Sequence, residues 1–146
     1  SALKNGCSII CDVNGLVGLL NKQNPKDFGN EVICNISDSS VIEAAKKDGK
    51  TRAEVSMRLV SSEMNGGIVA IGNAPTALYE VLKMIKEGIT KPALIIGIPV
   101  GFIAAAESKD ELCSSNIPFI TNVGRKGGSS CAAAAINALF KLIRQS

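Results

Sequence analysis

The apolar positions of this chain fall in short, nearly unbroken runs. Five of these runs read as strands: Cys7-Ser8-Ile9-Ile10-Cys11-Asp12-Val13, Glu31-Val32-Ile33-Cys34-Asn35-Ile36, Gly66-Gly67-Ile68-Val69-Ala70-Ile71-Gly72, Pro92-Ala93-Leu94-Ile95-Ile96 and Asn116-Ile117-Pro118-Phe119-Ile120-Thr121. The third and fourth lack any polar alternation, the mark of a strand covered on both faces.

The intervening stretches carry helix signals. Residues 16–20 make a short helix at most, and residues 21–27, polar and interrupted by Pro25, are expected to form a surface loop. Ser37-Asp38-Ser39-Ser40 supplies capping residues for a helix over 41–47 that Gly49 closes. Thr51, followed three residues later by Glu54, forms a capping box; the helix it opens runs to about Met64 with Val55, Leu59 and Val60 on its face. Asn73 or Thr76 is expected to cap the helix over 77–85, with Pro75 in its first turn. An Ala-rich helix follows the fourth strand and is broken by the charges of Glu107-Ser108-Lys109-Asp110, and a second Ala-rich helix covers 131–140.

Strands alternating with helices predict an α/β fold: one domain over residues 1–146, three layers α/β/α, and a five-stranded parallel sheet in the flavodoxin-like order 2-1-3-4-5. That order sets the ends of the first, third and fourth strands side by side. The turns at Asp12, Asn73 and Gly97 then line one crevice at the carboxyl edge, where ligands bind in such sheets.

Composition narrows the picture. At 146 residues and 46% hydrophobic, the chain is long enough for a real core; four Phe, one Tyr and no Trp mean that aliphatic side chains must fill it. The net charge of +3 is too small to argue for nucleic acid but suits a small anionic ligand. Cysteines at 7, 11, 34, 113 and 131 form no C-x-x-C pair and have no His as co-ligand, so they are read as mostly buried small hydrophobes in a reducing cytoplasm, with no metal site. No apolar run approaches the roughly 18 residues of a membrane span, and no signal-peptide layout is visible, so a soluble cytoplasmic protein is expected.

Two turns carry the candidate chemistry. In Gly97-Ile98-Pro99-Val100-Gly101-Phe102, glycines let backbone approach a ligand while Pro99 stiffens the turn. In Gly124-Arg125-Lys126-Gly127-Gly128-Ser129, two cations stand before a helix start, an arrangement suited to phosphate or carboxylate. It is not a Walker A loop, no G-x-G-x-x-G follows a strand, and without His there is no Ser-His or Cys-His pair. Asp12 either caps a helix, the favoured role, or faces a ligand. Arg52 is either solvated or recruited by an anion, and Glu107 and Lys109 cannot share a helix face. Residue chemistry alone reaches a domain built to hold a multiply anionic small molecule.

Ala70-Ile71-Gly72-Asn73-Ala74-Pro75-Thr76-Ala77-Leu78, the turn at 97–102 with Glu107-Ser108-Lys109, and the turn at 124–129 with the segment 132–137 together resemble the precorrin-8X methylmutase family. Ile10-Cys11-Asp12-Val13, Gly29-Asn30-Glu31-Val32-Ile33-Cys34 and Thr51-Arg52 extend the resemblance over nearly the whole chain. It implies a homodimeric isomerase of cobalamin biosynthesis that moves a methyl group between adjacent ring carbons of a polycarboxylate corrinoid, precorrin-8X or cobalt-precorrin-8, by a sigmatropic shift without cofactor. The residues expected to hold that substrate are Asp12, Arg52, Asn73, Thr76, Gly97, Gly101, Phe102, Glu107, Ser108, Lys109, Arg125, Lys126, Gly127, Gly128 and Ser129. The chain departs from the family in one respect: the family's proton-donating His lies in an N-terminal segment ahead of the matched part, and this chain, which begins at Ser1, contains no His. Two expectations follow, a part of a longer enzyme or a shortened relative that binds without catalysing. Asp12, Tyr79, Glu107 and Lys109 are the alternative donors, and nothing in the sequence selects one.

Overall fold

The structure is a computed structural model that describes residues 2–101 and 104–145. In chain order its elements are β1 (Ile9–Cys11), α1 (Asn14–Leu19), α2 (Gln23–Phe28), β2 (Val32–Ile33), α3 (Ser39–Asp48), α4 (Arg52–Leu59), α5 (Ser61–Met64), β3 (Ile68–Ile71), α6 (Pro75–Lys86), β4 (Leu94–Gly97), α7 (Ala105–Cys113), β5 (Phe119–Thr121) and α8 (Ser129–Arg144). Every neighbouring strand pair is parallel and the order is β2-β1-β3-β4-β5, as the sequence predicts.

The unbroken apolar runs are explained by burial from two sides. Ile9, Cys11, Ile68, Ala70 and Ile96 face Leu16 of α1 and Ala132, Ala133, Ile136 and Phe140 of α8. Ile10, Val69, Ile71 and Ile95 face the opposite layer, built by Met57 of α4, Leu78, Val81 and Leu82 of α6, and Leu112 of α7. Because side chains alternate along a strand, each residue of β3 joins one layer or the other, and none is left to be polar. A fully buried Ile or Val contributes about 1.5–3 kcal/mol over its exposed state, so the central strands hold both layers to the sheet. α3 lies outside α4, with Val41 and Ala45 against Val55.

Several local expectations need correction. Residues 21–27 are not simply a surface loop: α2 occupies 23–28 with Asn24 and Pro25 buried. Pro25 is tolerated because it stands in the first turn, where a missing N–H breaks no intrahelical bond, and Gly29 ends the helix in a left-handed conformation. The helix opened by Thr51 stops at Leu59, and α5 follows as a separate turn; Leu59 points outward while Met57 takes the buried position. The capping box of Thr51 and Glu54 is present as predicted. The cysteines are less buried than expected: Cys11 is fully enclosed, and burial pushes its thiol well above the usual range, but Cys113 and Cys131 are exposed.

α2 is tied to α8 by Arg144, whose Nε donates to Asn24 Oδ1 at 2.9 Å and whose Nη2 donates to Asp27 Oδ2 at 2.6 Å, with the guanidinium 5.2 Å from the Phe28 ring centre. Hydrogen bonds from Arg144 and then Gln23 hold the Asp27 carboxyl below its ordinary range. A depressed carboxylate stabilises the fold above the unfolded value, about 3.9, and loses that contribution as pH falls through the folded one. The difference in melting temperature between the wild type and Asp27→Asn is therefore expected to be constant near neutrality and to vanish on acidification below about pH 4, measured by calorimetry across that range.

Candidate functional site

The carboxyl ends of β1, β3 and β4 are joined by backbone contacts. Asp12, just beyond β1, is fully buried, and its carboxylate accepts from the N–H groups of Gly72 (3.0 Å), Asn73 (2.9 Å) and Ala74 (2.8 Å). Asp12 was favoured as a cap for the helix after β1, but α1 has Val13 at its N-cap and no side-chain cap; the carboxylate instead holds the turn that leads into α6, some 60 residues on. Burial pushes the Asp12 carboxyl up from its usual range, and the three N–H donors pull against that shift. With Asp12 in place, neither Asn73 nor Thr76 caps α6: the N-cap is Ala74, Pro75 opens the helix as expected, and the Thr76 hydroxyl lies 3.3 Å from that of Thr51 at the start of α4.

The turns at 97–101 and 124–128 are packed on each other. Gly128 N donates to Ile98 O at 3.0 Å and Gly101 N to Arg125 O at 3.1 Å, while Val100 N reaches Asn73 O at 3.4 Å. Gly127 is required by this contact, since a Cβ there would lie 2.5 Å from Ile98 O and 2.7 Å from Pro99 O. Gly72 is required in the same way: a Cβ would meet Ser129 Cα at 2.7 Å, so the first turn of α8 sits directly on the end of β3. Gly97 was expected to admit a ligand, but the space its side chain would fill is taken by Leu112 at 2.5 Å and Leu78 at 3.3 Å. Its smallness serves helix packing beneath the site. Gly101 adopts a positive φ of 149°, and Ala104, at the N-cap of α7, one of 68°.

The predicted residues therefore separate by what they can offer. Asn73, Arg52, Glu107, Arg125 and Lys126 are exposed, and Thr76, Gly101, Gly127, Gly128 and Ser129 are part-buried along the edge. Ser108 and Lys109 are buried on the inner side of α7, where Ser108 Oγ donates to Ala105 O and Lys109 Nζ donates to Gly124 O and Lys126 O. Phe102 lies outside the described residues. Among the four alternative proton donors, Asp12 and Lys109 have polar atoms engaged by backbone. Tyr79 is pushed up by burial and by the neighbouring charges of Glu107, Glu111 and Asp110, so it stays protonated, and Glu107 faces solvent.

Sequence reasoning passed over three features. Val123, 96% exposed, and Val100, 41% exposed, bring apolar surface to an edge otherwise polar. Asn122 Nδ2 donates to Lys126 O at 2.9 Å and braces the cationic turn. The signal for Val123 was present, an apolar residue placed between a strand and a charged glycine turn. α8 has no side-chain cap at its N-cap residue, Gly128, and Arg125 and Lys126 stand in the turn just before it, whereas in α6 Pro75 at the first position brings no N–H.

Fold and edge together define a doubly wound α/β protein whose carboxyl edge carries exposed cations with apolar surface beside them. The chain belongs to the precorrin-8X methylmutase family, whose profile matches residues 1–142. It is 52% identical over 138 residues to a cobalt-precorrin-8 methylmutase of Priestia megaterium, covering 94% of this chain and 61% of that protein. It is 45% identical to a precorrin-8X methylmutase of a Sinorhizobium species, covering 97% and 68% of the respective chains. The crystal structure of precorrin-8X methyl mutase from Thermus thermophilus superimposes with a TM-score of 0.89 at 34% identity, covering 99% of this chain and 70% of that one. This chain thus spans between 61% and 70% of the length of these relatives.

Asp12→Asn places an amide NH2 against backbone N–H groups and is expected to cost about 2–3 kcal/mol, read as a lowered urea midpoint with unchanged slope. Gly127→Ala is expected to cost a similar ~2 kcal/mol by prising the two turns apart. It is checked by the same denaturation and by faster hydrogen exchange at Gly128, with the Val69 amide in the central strand as control.

Proposed function

We propose that this chain binds a polycarboxylate corrinoid, precorrin-8X or cobalt-precorrin-8, at the carboxyl edge of its sheet and takes part in the migration of a methyl group between adjacent ring carbons. The observation that carries the reading is the family match over residues 1–142, which includes every turn that builds the edge. Arg125, Lys126, Arg52 and the starts of α6 and α8 receive carboxylates, Asn73 hydrogen-bonds the periphery, and Val100 and Val123 lie against the apolar face of the macrocycle. Charge-assisted hydrogen bonds of this type are worth roughly 1.5–3 kcal/mol each.

The rearrangement breaks one carbon–carbon bond and forms another within one molecule, so composition and oxidation level are unchanged and no redox partner is needed. What the protein must add is a fixed substrate geometry, exclusion of water and a proton held at a ring nitrogen. The absence of His from these 146 residues favours a second reading, in which they bind the corrinoid and the proton donor is not among them. On the first reading the chain acts as one domain over residues 1–146, as a homodimer, in the cytoplasm.

The test is a spectrophotometric titration and turnover assay with precorrin-8X and its cobalt form, because the methyl shift alters the conjugated ring. Saturable binding is expected, with Arg125→Ala and Lys126→Ala each weakening it about tenfold, the equivalent of ~1.4 kcal/mol. Turnover establishes the isomerase, and binding without turnover establishes the second reading. No binding by either form overturns both.

A further inference from the structure

Lys109 is among the largest side chains that the fold buries completely, at 1% exposure. It lies on the inward stripe of α7 with Ala105, Ser108 and Leu112, and among the described residues no carboxylate pairs with it. Its ammonium donates to Gly124 O at 2.8 Å and to Lys126 O at 2.6 Å. The carbonyl between them, that of Arg125, accepts from Gly101 N at 3.1 Å. Three successive carbonyls of the cationic turn are thereby drawn inward, and the side chains of Arg125 and Lys126 are left exposed.

Burying an ammonium without a counter-ion is costly, and an apolar side chain of the same length fills the same space without that cost. The charge is therefore poorly explained by stability. It is explained by its position: the ammonium fixes the carbonyls of Gly124 and Lys126, and with them the backbone that carries Arg125 and Lys126.

We propose that Lys109 is a positioning residue of the anion site, a buried ammonium that shapes the turn at 124–128 so that Arg125 and Lys126 meet a carboxylate of the ligand. The proposal rests on the corrinoid reading for the identity of that ligand, and on geometry alone for the shape of the turn. Lys109 acts through the turn and does not touch the substrate.

Two measurements on Lys109→Met test it. By NMR, the amides of Gly101 and Gly128 are expected to exchange at least 10-fold faster than in the wild type, while that of Val69 in β3 is unchanged; unchanged exchange at Gly101 and Gly128 overturns the proposal. With cobyrinic acid as probe, Lys109→Met is expected to raise Kd about 10-fold in the wild type but less than twofold in an Arg125→Ala/Lys126→Ala background. A full 10-fold loss in that background means that Lys109 acts by another route and also overturns it. Should Lys109→Met fail to fold, the wild type decides: acetic anhydride must label Lys109 at least 10-fold more slowly than Lys126, and equal labelling refutes the buried clamp. If the wild-type chain takes up no cobyrinic acid, the corrinoid reading fails alone, and amide exchange still decides the role of Lys109.

Discussion

The edge of this sheet depends on one carboxylate. Asp12 is enclosed by protein and holds the three N–H groups of residues 72–74, so the end of β1 dictates where β3 stops and how the chain turns into α6. Without such an acceptor the Gly72 donor would be stranded in a buried setting, and those of Asn73 and Ala74 in a part-buried one, at a cost of about 1–3 kcal/mol for the enclosed group. Once the turn is set, Gly72 can receive Ser129, Gly127 can receive Ile98 and Pro99, and the two glycine turns close on each other. Each later contact presumes the geometry established by the earlier one.

Two buried charges of opposite sign thus organise the edge by the same physics. Asp12 collects donors and Lys109 collects acceptors, each using backbone dipoles in place of a counter-ion. Donors gathered by Asp12 fix the turn into α6, and acceptors gathered by Lys109 fix the turn whose Arg125 and Lys126 side chains are exposed. Val100 and Val123 add apolar surface to the same edge.

The sheet was legible in the sequence because two-sided burial leaves an unmistakable pattern, unbroken runs such as Ile68-Val69-Ala70-Ile71 ended by glycine. The helices on both its faces followed from the handedness of crossovers, its order was favoured as the flavodoxin-like one and is the order found, and the capping box at Thr51 and Glu54 followed from local spacing alone. What escaped were features decided by partners far away in sequence. α2 is held by Arg144, more than a hundred residues on, which no reading of Asn24-Pro25-Lys26 reveals. Gly97 looked like a ligand turn because a glycine there says only that space is filled, not by what; Leu112 and Leu78 fill it. Lys109 was read as one of the residues that hold the ligand, although its spacing with Ala105, Ser108 and Leu112 marks an inward stripe once the helix start is placed at Ala105.

The two-sided burial has a consequence for the order of assembly. α8 supplies much of the layer against Ile9, Cys11, Ile68, Ala70 and Ile96, and it is synthesised after all five strands. On the ribosome the opposite layer, from α4 and α6, can dock while α8 is still unmade, leaving one apolar side of a parallel sheet covered only in part, by α1. A nascent chain in that state is a natural client for holding chaperones, and the interval before α8 emerges is when its strands are most exposed to pairing with those of another copy.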